Sequence, residues 1–349
     1  MAKKRAESRT RYFIRTQSEK RGWNVSHTSK GGDFIEEQEI INSFPDIGLG
    51  LSKPDFLVCF KGEPVMVIEA KNEAKKIDEA INQAIGYCET INGTNKYNVK
   101  IAVGVAGEED NGFFVKVKYL QGTTWKELKS NGYEISTIPS KREVELAINA
   151  NDGTTSVTVP SSSEFIEAAI ELSKILRLAK IEAPLRPKVI GAIALAMYQG
   201  EIDITTENEL DSLNSLVHEA IYESVDLRDE TKKRLEEALI LTGGDFSRLS
   251  SKIQRIISIL KRLNIRSVLQ TDTDFLGLFY EAFLRYGYDN NALGIVFTPR
   301  HITRFCVDLI GARLADRVID IASGTGGFLV AAFDEMMSKA KGPKAIKKI

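Results

Sequence analysis

Two carboxylates and a lysine stand at a spacing that can do chemistry: Pro54-Asp55, thirteen residues, then Glu69-Ala70-Lys71. Side chains two apart on a strand leave the same face, so Glu69 and Lys71 point together, beside Val67. Folded as a hairpin about Gly62, the two segments set Asp55 opposite Glu69. Two carboxylates and one ammonium then converge on one patch. Carboxylate oxygens suit a hard divalent cation such as Mg2+, which keeps several of its waters. A cation held there lowers the pKa of a bound water and stabilises charge on a phosphoryl oxygen. The lysine can position the attacking water and offset the charge that develops at phosphorus. That set suffices for phosphodiester hydrolysis. The plain alternative is a surface salt bridge on a β-hairpin. The apolar run Val65-Met66-Val67-Ile68 argues against it, because it puts Glu69 at the end of a buried strand.

The surrounding pattern supplies the elements that must hold this patch. Phe56–Phe60 and Val65–Ala70 read as strands separated by the turn Lys61-Gly62-Glu63-Pro64. From about Lys75 to Ile91 the apolar residues Ile77, Ala80, Ile81, Ala84 and Ile85 recur at helical spacing. Gln83 and Tyr87, four apart, share one face of that helix. Asn98–Ala106 reads as a buried strand and Phe113–Leu120 as an alternating one. These elements predict a compact α/β domain over residues 1–150.

Here the sequence resembles the PD-(D/E)xK nuclease superfamily, in particular the N-terminal nuclease domains of type I restriction R subunits and of fused restriction–modification enzymes. Pro54-Asp55, Glu69-Ala70-Lys71 and Gln83-x-x-x-Tyr87 carry the resemblance, over roughly residues 20–120. It implies a restriction-endonuclease-like mixed sheet. Asp55 and Glu69 would bind Mg2+, Lys71 would orient the nucleophilic water, and Gln83 and Tyr87 would place the site against DNA. It also implies an acid on an earlier helix. Phe34-Ile35-Glu36-Glu37-Gln38-Glu39 is the best local candidate, with Glu36 or Glu37 as the further metal ligand.

A second constellation lies near the C-terminus. Asp320-x-x-Ser323-Gly324-Thr325-Gly326-Gly327-Phe328 follows the apolar stretch Val318-Ile319 and precedes a helical pattern to about Lys339. This predicts a strand, a glycine-rich turn and a helix whose N-terminus favours an anionic group. No Gly-Lys-Ser/Thr follows, which excludes a P-loop, and the G-x-G-x-x-G dinucleotide spacing is absent. Upstream stand Leu276-Gly277-Leu278-Phe279-Tyr280-Glu281-Ala282-Phe283-Leu284 and Val296-Phe297-Thr298-Pro299-Arg300. Together the three segments resemble type I modification subunits and related N6-adenine DNA methyltransferases. The resemblance implies that Phe297, Thr298, Asp320, Ser323, Gly324 and Gly326 line an S-adenosylmethionine site. The family's Asp-Pro is Asp320-Ile321 here, and its later adenine-holding Asn/Asp-Pro-Pro-Phe/Tyr loop does not follow. The expectation is a truncated domain with only the first strand and helix of a Rossmann-like fold.

Between these regions the chain has no chemistry that can be read. Residues 151–163 are polar and rich in turn formers, which predicts a linker. Residues 164–271 predict an all-helical connector, with Ser163 as N-cap, breaks at Pro184, Pro187 and Gly243-Gly244, and a stripe of Phe165, Ala168, Ala169, Leu172, Leu176 and Ala179. Residues 272–349 are then the methyltransferase start.

Composition bounds the rest. The 349 residues include 47 Lys+Arg and 48 Asp+Glu, a net charge of −1, so nucleic-acid binding must come from local patches. Residues 1–30 are one such patch, strongly basic with Tyr12, Phe13 and Trp23 interleaved. It reads either as a solvated tail with a surface helix or as a phosphate-contacting arm. Residues 246–270 are another, with Arg248, Lys252, Arg255, Lys261, Arg262 and Arg266 and no acid. Cys59, Cys88 and Cys306 are too scattered for disulfides or a zinc site and suit a reducing cytoplasm. The longest apolar stretch, Val189–Tyr198, is about half of the ~20 residues a membrane helix needs. The basic N-terminus lacks an apolar core, so no secretory signal is expected.

The combined expectation is a DNA restriction–modification protein, a Mg2+-dependent nuclease fused to an S-adenosylmethionine-dependent adenine methyltransferase. Its partners would be double-stranded DNA and a specificity subunit or C-terminal target-recognition domain. The alternatives are a modification subunit with a degenerate nuclease domain and a catalytically silent DNA-binding or regulatory fragment.

Overall fold

A computed structural model describes residues 2–130, 132–150, 154–155, 161–202, 209–224, 227–265, 298, 300–324 and 326–340. Residues 1–287 form one compact unit and 288–349 a second.

The first unit is built on a mixed sheet. Helix α1 (Ala2–Lys20) precedes strand β1 (Phe34–Glu36), the short helix α2 (Ile40–Ser43), β2 (Phe56–Phe60) and β3 (Glu63–Lys71). Helix α3 (Ile77–Asn92) leads to β4 (Ile101–Glu108), β5 (Gly112–Gln121) and β6 (Thr124–Glu127). The six strands lie in the order β1-β2-β3-β4-β5-β6. Only β3 and β4 run parallel, as the intervening helix α3 requires; the other neighbours are antiparallel.

The hairpin β2–β3 forms as the sequence predicts, with a tighter turn. Lys61 and Gly62 both have positive φ, which closes a two-residue turn whose twist matches the flanking strands. Pairing shifts between Val58 and Cys59, where Cys59 meets Pro64, a residue with no N–H for the ladder. Beyond that point the register is regular and pairs Phe56 with Ile68. Strand β3 is buried from Pro64 to Ala70. Met66, Ile68 and Ala70 join the core that contains Phe13, Ile14 and Trp23, whereas Val67 joins the core that contains Ile81, Ala84 and Cys88 of α3.

Two local interactions fix the cover on this sheet. Thr10 of α1 donates its hydroxyl to the Gly107 carbonyl at 3.1 Å, and Phe13 stacks on Phe113 with ring centroids 4.2 Å apart. On the other face, α3 approaches β4 at Gly104, where a Cβ would lie 2.5 Å from the backbone nitrogen of Ile81.

A small second sheet joins β7 (Lys129–Ser130), β8 (Tyr133–Glu134) and β9 (Thr154–Thr155), in the order β8-β7-β9. Thus Thr154–Thr155, inside the expected linker, pair parallel with β7. Helix α4 (Lys141–Ala150) precedes β9. The buried pair Arg21–Glu143, 2.8 Å apart, ties α4 to the end of α1, and Trp23 donates its indole N–H to the Pro139 carbonyl.

The helical segment contains α5 (Ser162–Leu178), α6 (Arg186–Gln199), α7 (Glu209–Tyr222), α8 (Asp229–Leu239), α9 (Gly243–Leu249) and α10 (Ile253–Arg262). The stripe predicted on α5 is buried throughout. The N-cap of α5 is Ser161, not Ser163. Only Ser161 places Glu164 three residues on, where the two residues cap each other reciprocally. Gly243-Gly244 open α9 rather than break a helix, because Thr242 and Asp245 cap it in the same way. These helices share one core with Phe114 of β5, so they pack against the sheet.

Unit two contains α11 (Arg300–Ile310) and α12 (Gly327–Lys339), packed through Val307, Ala331, Ala332 and Met336. Helix α12 ends where the sequence predicts. The predicted strand before it is not formed: Arg317–Asp320 make no ladder, and Val318, Ile319 and Ile321 are exposed. A strand exists only when a neighbour accepts and donates its backbone hydrogen bonds, and the described residues of this unit include none. Residues 276–284 and 341–349 lie outside the described residues.

The approach at Gly104 yields a test. Gly104→Ala forces backbone against backbone and should destabilise the first unit by ~1–3 kcal/mol, read as a lower urea midpoint. An unchanged midpoint would mean that α3 does not sit this close.

Candidate active site

The hairpin register carries the site. With Phe56 paired to Ile68, Asp55 comes to face Glu69. The Ala70 N–H donates to Asp55 Oδ2 at 2.7 Å, and the Asp55 N–H donates to Glu69 Oε2 at 3.4 Å. Lys71 Nζ lies 3.0 Å from Glu69 Oε1. All three side chains are largely buried, at 17%, 10% and 15% exposure for Asp55, Glu69 and Lys71. The juxtaposition predicted from spacing alone is therefore present.

A fourth charged group completes the cluster. Arg11 of α1 donates from Nε to Asp55 Oδ1 at 2.8 Å, its Nη2 lies 2.6 Å from the same oxygen, and Nη2 also donates to Glu37 Oε2 at 3.2 Å. Its guanidinium lies over the Phe56 ring, 5.6 Å from the centroid. In the sequence Arg11 is one of several basic residues in the segment 1–30, and nothing in charge count alone sets it apart. A sharper signal was available: Arg11 and Arg15 are four apart on a helix, and Glu36 and Glu37 supply two acids. Arg15 pairs with Glu36 and also donates to the Val25 carbonyl.

The burial of the acids has an electrostatic cost. Burial, together with the neighbouring charge of Asp55, pushes the Glu69 carboxyl from its ordinary 4.5 up to about 7, against the opposing pull of Lys71. Burial is the larger of the two causes, and the pull of Lys71 offsets only part of the shift.

Other predicted residues stand further out. The segment Phe34–Glu36 is a strand, not a helix, and Glu36 is engaged by Arg15. Glu37 is exposed and reaches the site through Arg11. No group of three or more His, Cys, Asp or Glu residues that could hold a metal ion occurs among the described residues. Tyr87 shares a 2.7 Å hydrogen bond with Ser52, and Gln83 is exposed one turn earlier on α3. The donor set available to a cation is the pair Asp55 and Glu69.

In the second unit, Gly326 adopts a left-handed conformation at the start of α12, and its N–H bonds to the Ser323 carbonyl. Asp320 accepts the Ala322 N–H at 3.0 Å. Asp320 is half-buried, as is Gly326, while Ser323, Gly324 and Thr298 are exposed. Phe297 lies outside the described residues.

Comparison with known proteins places these features. Residues 11–122 match the family described as the type I restriction enzyme R protein N terminus. Residues 271–348 match N-6 DNA methylase. The two matches stand in the order of a fused restriction–modification enzyme. Such a protein is among the relatives: the type II restriction enzyme and methyltransferase RM.BcgI of Heyndrickxia coagulans is 27% identical over 91% of this chain and 55% of its own length. The chain therefore spans about half of that relative. The type I restriction enzyme EcoEI methylase subunit of Escherichia coli is 34% identical over 24% of this chain and 17% of its own length. No solved structure matches the chain. The resemblance to restriction–modification enzymes, first drawn from short motifs, thus extends along nearly the whole chain.

The raised Glu69 carboxyl generates a pH prediction for the metal-free protein. The folded chain holds this proton up to about pH 7, whereas an unfolded chain releases it near the ordinary 4.5. Stability from this group is therefore complete below that lower value and is lost as the pH rises towards 7, by on the order of 3 kcal/mol. Urea unfolding in chelator should show Glu69→Gln gaining on the wild type between pH 5 and pH 8. Parallel profiles would show that the carboxyl is not perturbed.

Proposed function

We propose that this chain belongs to a DNA restriction–modification protein whose first unit hydrolyses phosphodiester bonds with Mg2+. Its second unit would then belong to an S-adenosylmethionine-dependent adenine N6-methyltransferase. The observation that carries the nuclease reading is the facing pair Asp55 and Glu69 with Lys71 at 3.0 Å, on a segment matched to restriction R proteins.

The residues fit a Mg2+ ion on chemical grounds. Mg2+ is typically held by one or two carboxylates plus waters, and each carboxylate oxygen has two lone pairs. The hydrogen bonds described above leave lone pairs on both acids. Burial and the neighbouring Asp55 disfavour the charged form of Glu69, and a cation between the two acids would favour it. When bound, Mg2+ supplies an acidified water and a counter-charge for the phosphoryl oxygen.

The chain's own residues do the positioning. Asp55 and Glu69 hold the cation on the hairpin. Lys71, steered by Glu69, presents its remaining N–H groups towards the attacking water and the developing negative charge. Gln83 and Tyr87 on α3 would steady DNA beside the hairpin. Glu36 and Glu37 serve as partners of α1 arginines rather than as a third ligand. In the second unit, Thr298, Asp320, Ser323, Gly324 and Gly326 would line the S-adenosylmethionine site, with Phe297 beside them. Double-stranded DNA is the substrate in this reading. A specificity subunit or target-recognition domain supplies the sequence preference, and the cytoplasm is the setting. No helix among the described residues is long and apolar enough to cross a membrane.

Two assays test these readings. Supercoiled plasmid incubated with Mg2+, with and without S-adenosylmethionine, should be nicked by the wild type and at least ~100-fold more slowly by Lys71→Ala. Equal traces from both proteins would sink the nuclease reading and favour a silent DNA-binding fragment. Calorimetry with S-adenosylmethionine should give weak or no heat from this chain, because residues 317–320 lack sheet partners among the described residues. Tight binding would show that the cofactor site is already formed.

A further inference from the structure

Arg11 sits where a resident cation would compete with a metal. Its Nε and Nη2 both converge on Asp55 Oδ1, an oxygen of the carboxylate that faces Glu69. The helix that carries it is fixed to the sheet by Thr10 and by the burial of Phe13 and Ile14, so the backbone of residue 11 is held in place. The side chain is not enclosed, with 32% of it exposed beside a 49% exposed Glu37. Nη1 makes no hydrogen bond among the described residues, and the guanidinium lies over the face of Phe56. A planar fork with spare donors at the mouth of an acidic site matches phosphate geometry as well as it matches carboxylate.

We infer that Arg11 is a built-in counter-cation, holding Asp55 until a DNA phosphate draws the guanidinium away, so that divalent-cation binding and DNA binding reinforce each other. The inference rests on the nuclease reading and concerns the regulation of that same site. Without DNA, the guanidinium neutralises Asp55 and weakens its hold on a second cation. With DNA, a backbone phosphate takes over the fork, and Asp55 is released to the metal. Glu37 lies beside the path and gives the guanidinium a second anchor. By linkage, whatever factor DNA adds to metal affinity, metal adds to DNA affinity.

The test uses the full chain and Mn2+ as the probe. Free Mn2+ is followed by its electron paramagnetic resonance signal, with and without a short duplex at saturation. The wild type should bind Mn2+ roughly tenfold more tightly when the duplex is present, within the usual range of coupling. Arg11→Gln should bind roughly tenfold more tightly than the wild type without DNA and gain little from the duplex. Arg11→Lys keeps the charge but lacks the fork and should fall between them. If Arg11→Gln melts early, the lysine variant alone decides the matter. Unchanged or weakened Mn2+ binding without DNA in the folded variants overturns the inference. Asp55→Asn separates the two levels: if it binds Mn2+ like the wild type, the metal-site reading itself fails. If it loses binding while Arg11→Gln stays at wild-type affinity, only the counter-cation fails.

Discussion

Two carboxylates held face to face beside a buried sheet repel each other, and the surrounding structure is organised to tolerate that repulsion. Asp55 and Glu69 are brought together by the register of the β2–β3 hairpin. Their charges are met by Lys71 from the same strand, by Arg11 from α1, and by the N–H groups of Asp55 and Ala70. Breaking any one contact leaves a partly buried charge short of a partner, which is far more costly than losing a surface pair. Crowding of this kind lowers the stability of the folded unit, most directly through the burial of Glu69.

The basic segments carry ion pairs that their local charge does not reveal. The excess over residues 1–30 invites a reading as a DNA-binding arm. In the folded unit, Arg11, Arg15, Lys20 and Arg21 pair with Asp55, Glu37, Glu36, Glu167 and Glu143. Phe13 and Trp23 are buried among the sheet residues. These four basic residues are therefore already engaged by acids of the same unit in the chain without DNA. Likewise Arg255 and Arg262 of α10 share Glu171, and Lys261 meets Glu201. Burial pushes Arg262 below the usual guanidinium range, and its guanidinium lies over Phe13, 5.5 Å from the ring centroid. Charge counting along a segment cannot see acids that arrive from 21 to 147 residues away.

What was legible in the sequence was local. The hairpin, its facing acids, the crossover helix and the stripe on α5 follow from period and turn chemistry within short windows. Less legible were contacts set by tertiary placement: Arg11 on Asp55, Thr10 on Gly107, Ser52 on Tyr87. The N-cap at Ser161 was recoverable, since only that serine has an acid three residues on. The strand expected over Arg317–Asp320 failed for the opposite reason. Its apolar pattern is real, but pattern alone does not create a hydrogen-bonded neighbour.

The short turn at Lys61-Gly62 also sets an order of assembly. Closing the hairpin joins residues only 14 or 15 apart, an event on the microsecond scale. Docking Arg11 onto Asp55 spans 44 residues, and fastening α1 to α5 through Lys20 and Glu167 spans 147. Loop-closure entropy places these steps later. The hairpin that sets Asp55 against Glu69 can therefore close early in folding, so that the two acids meet ahead of their arginine partner from α1.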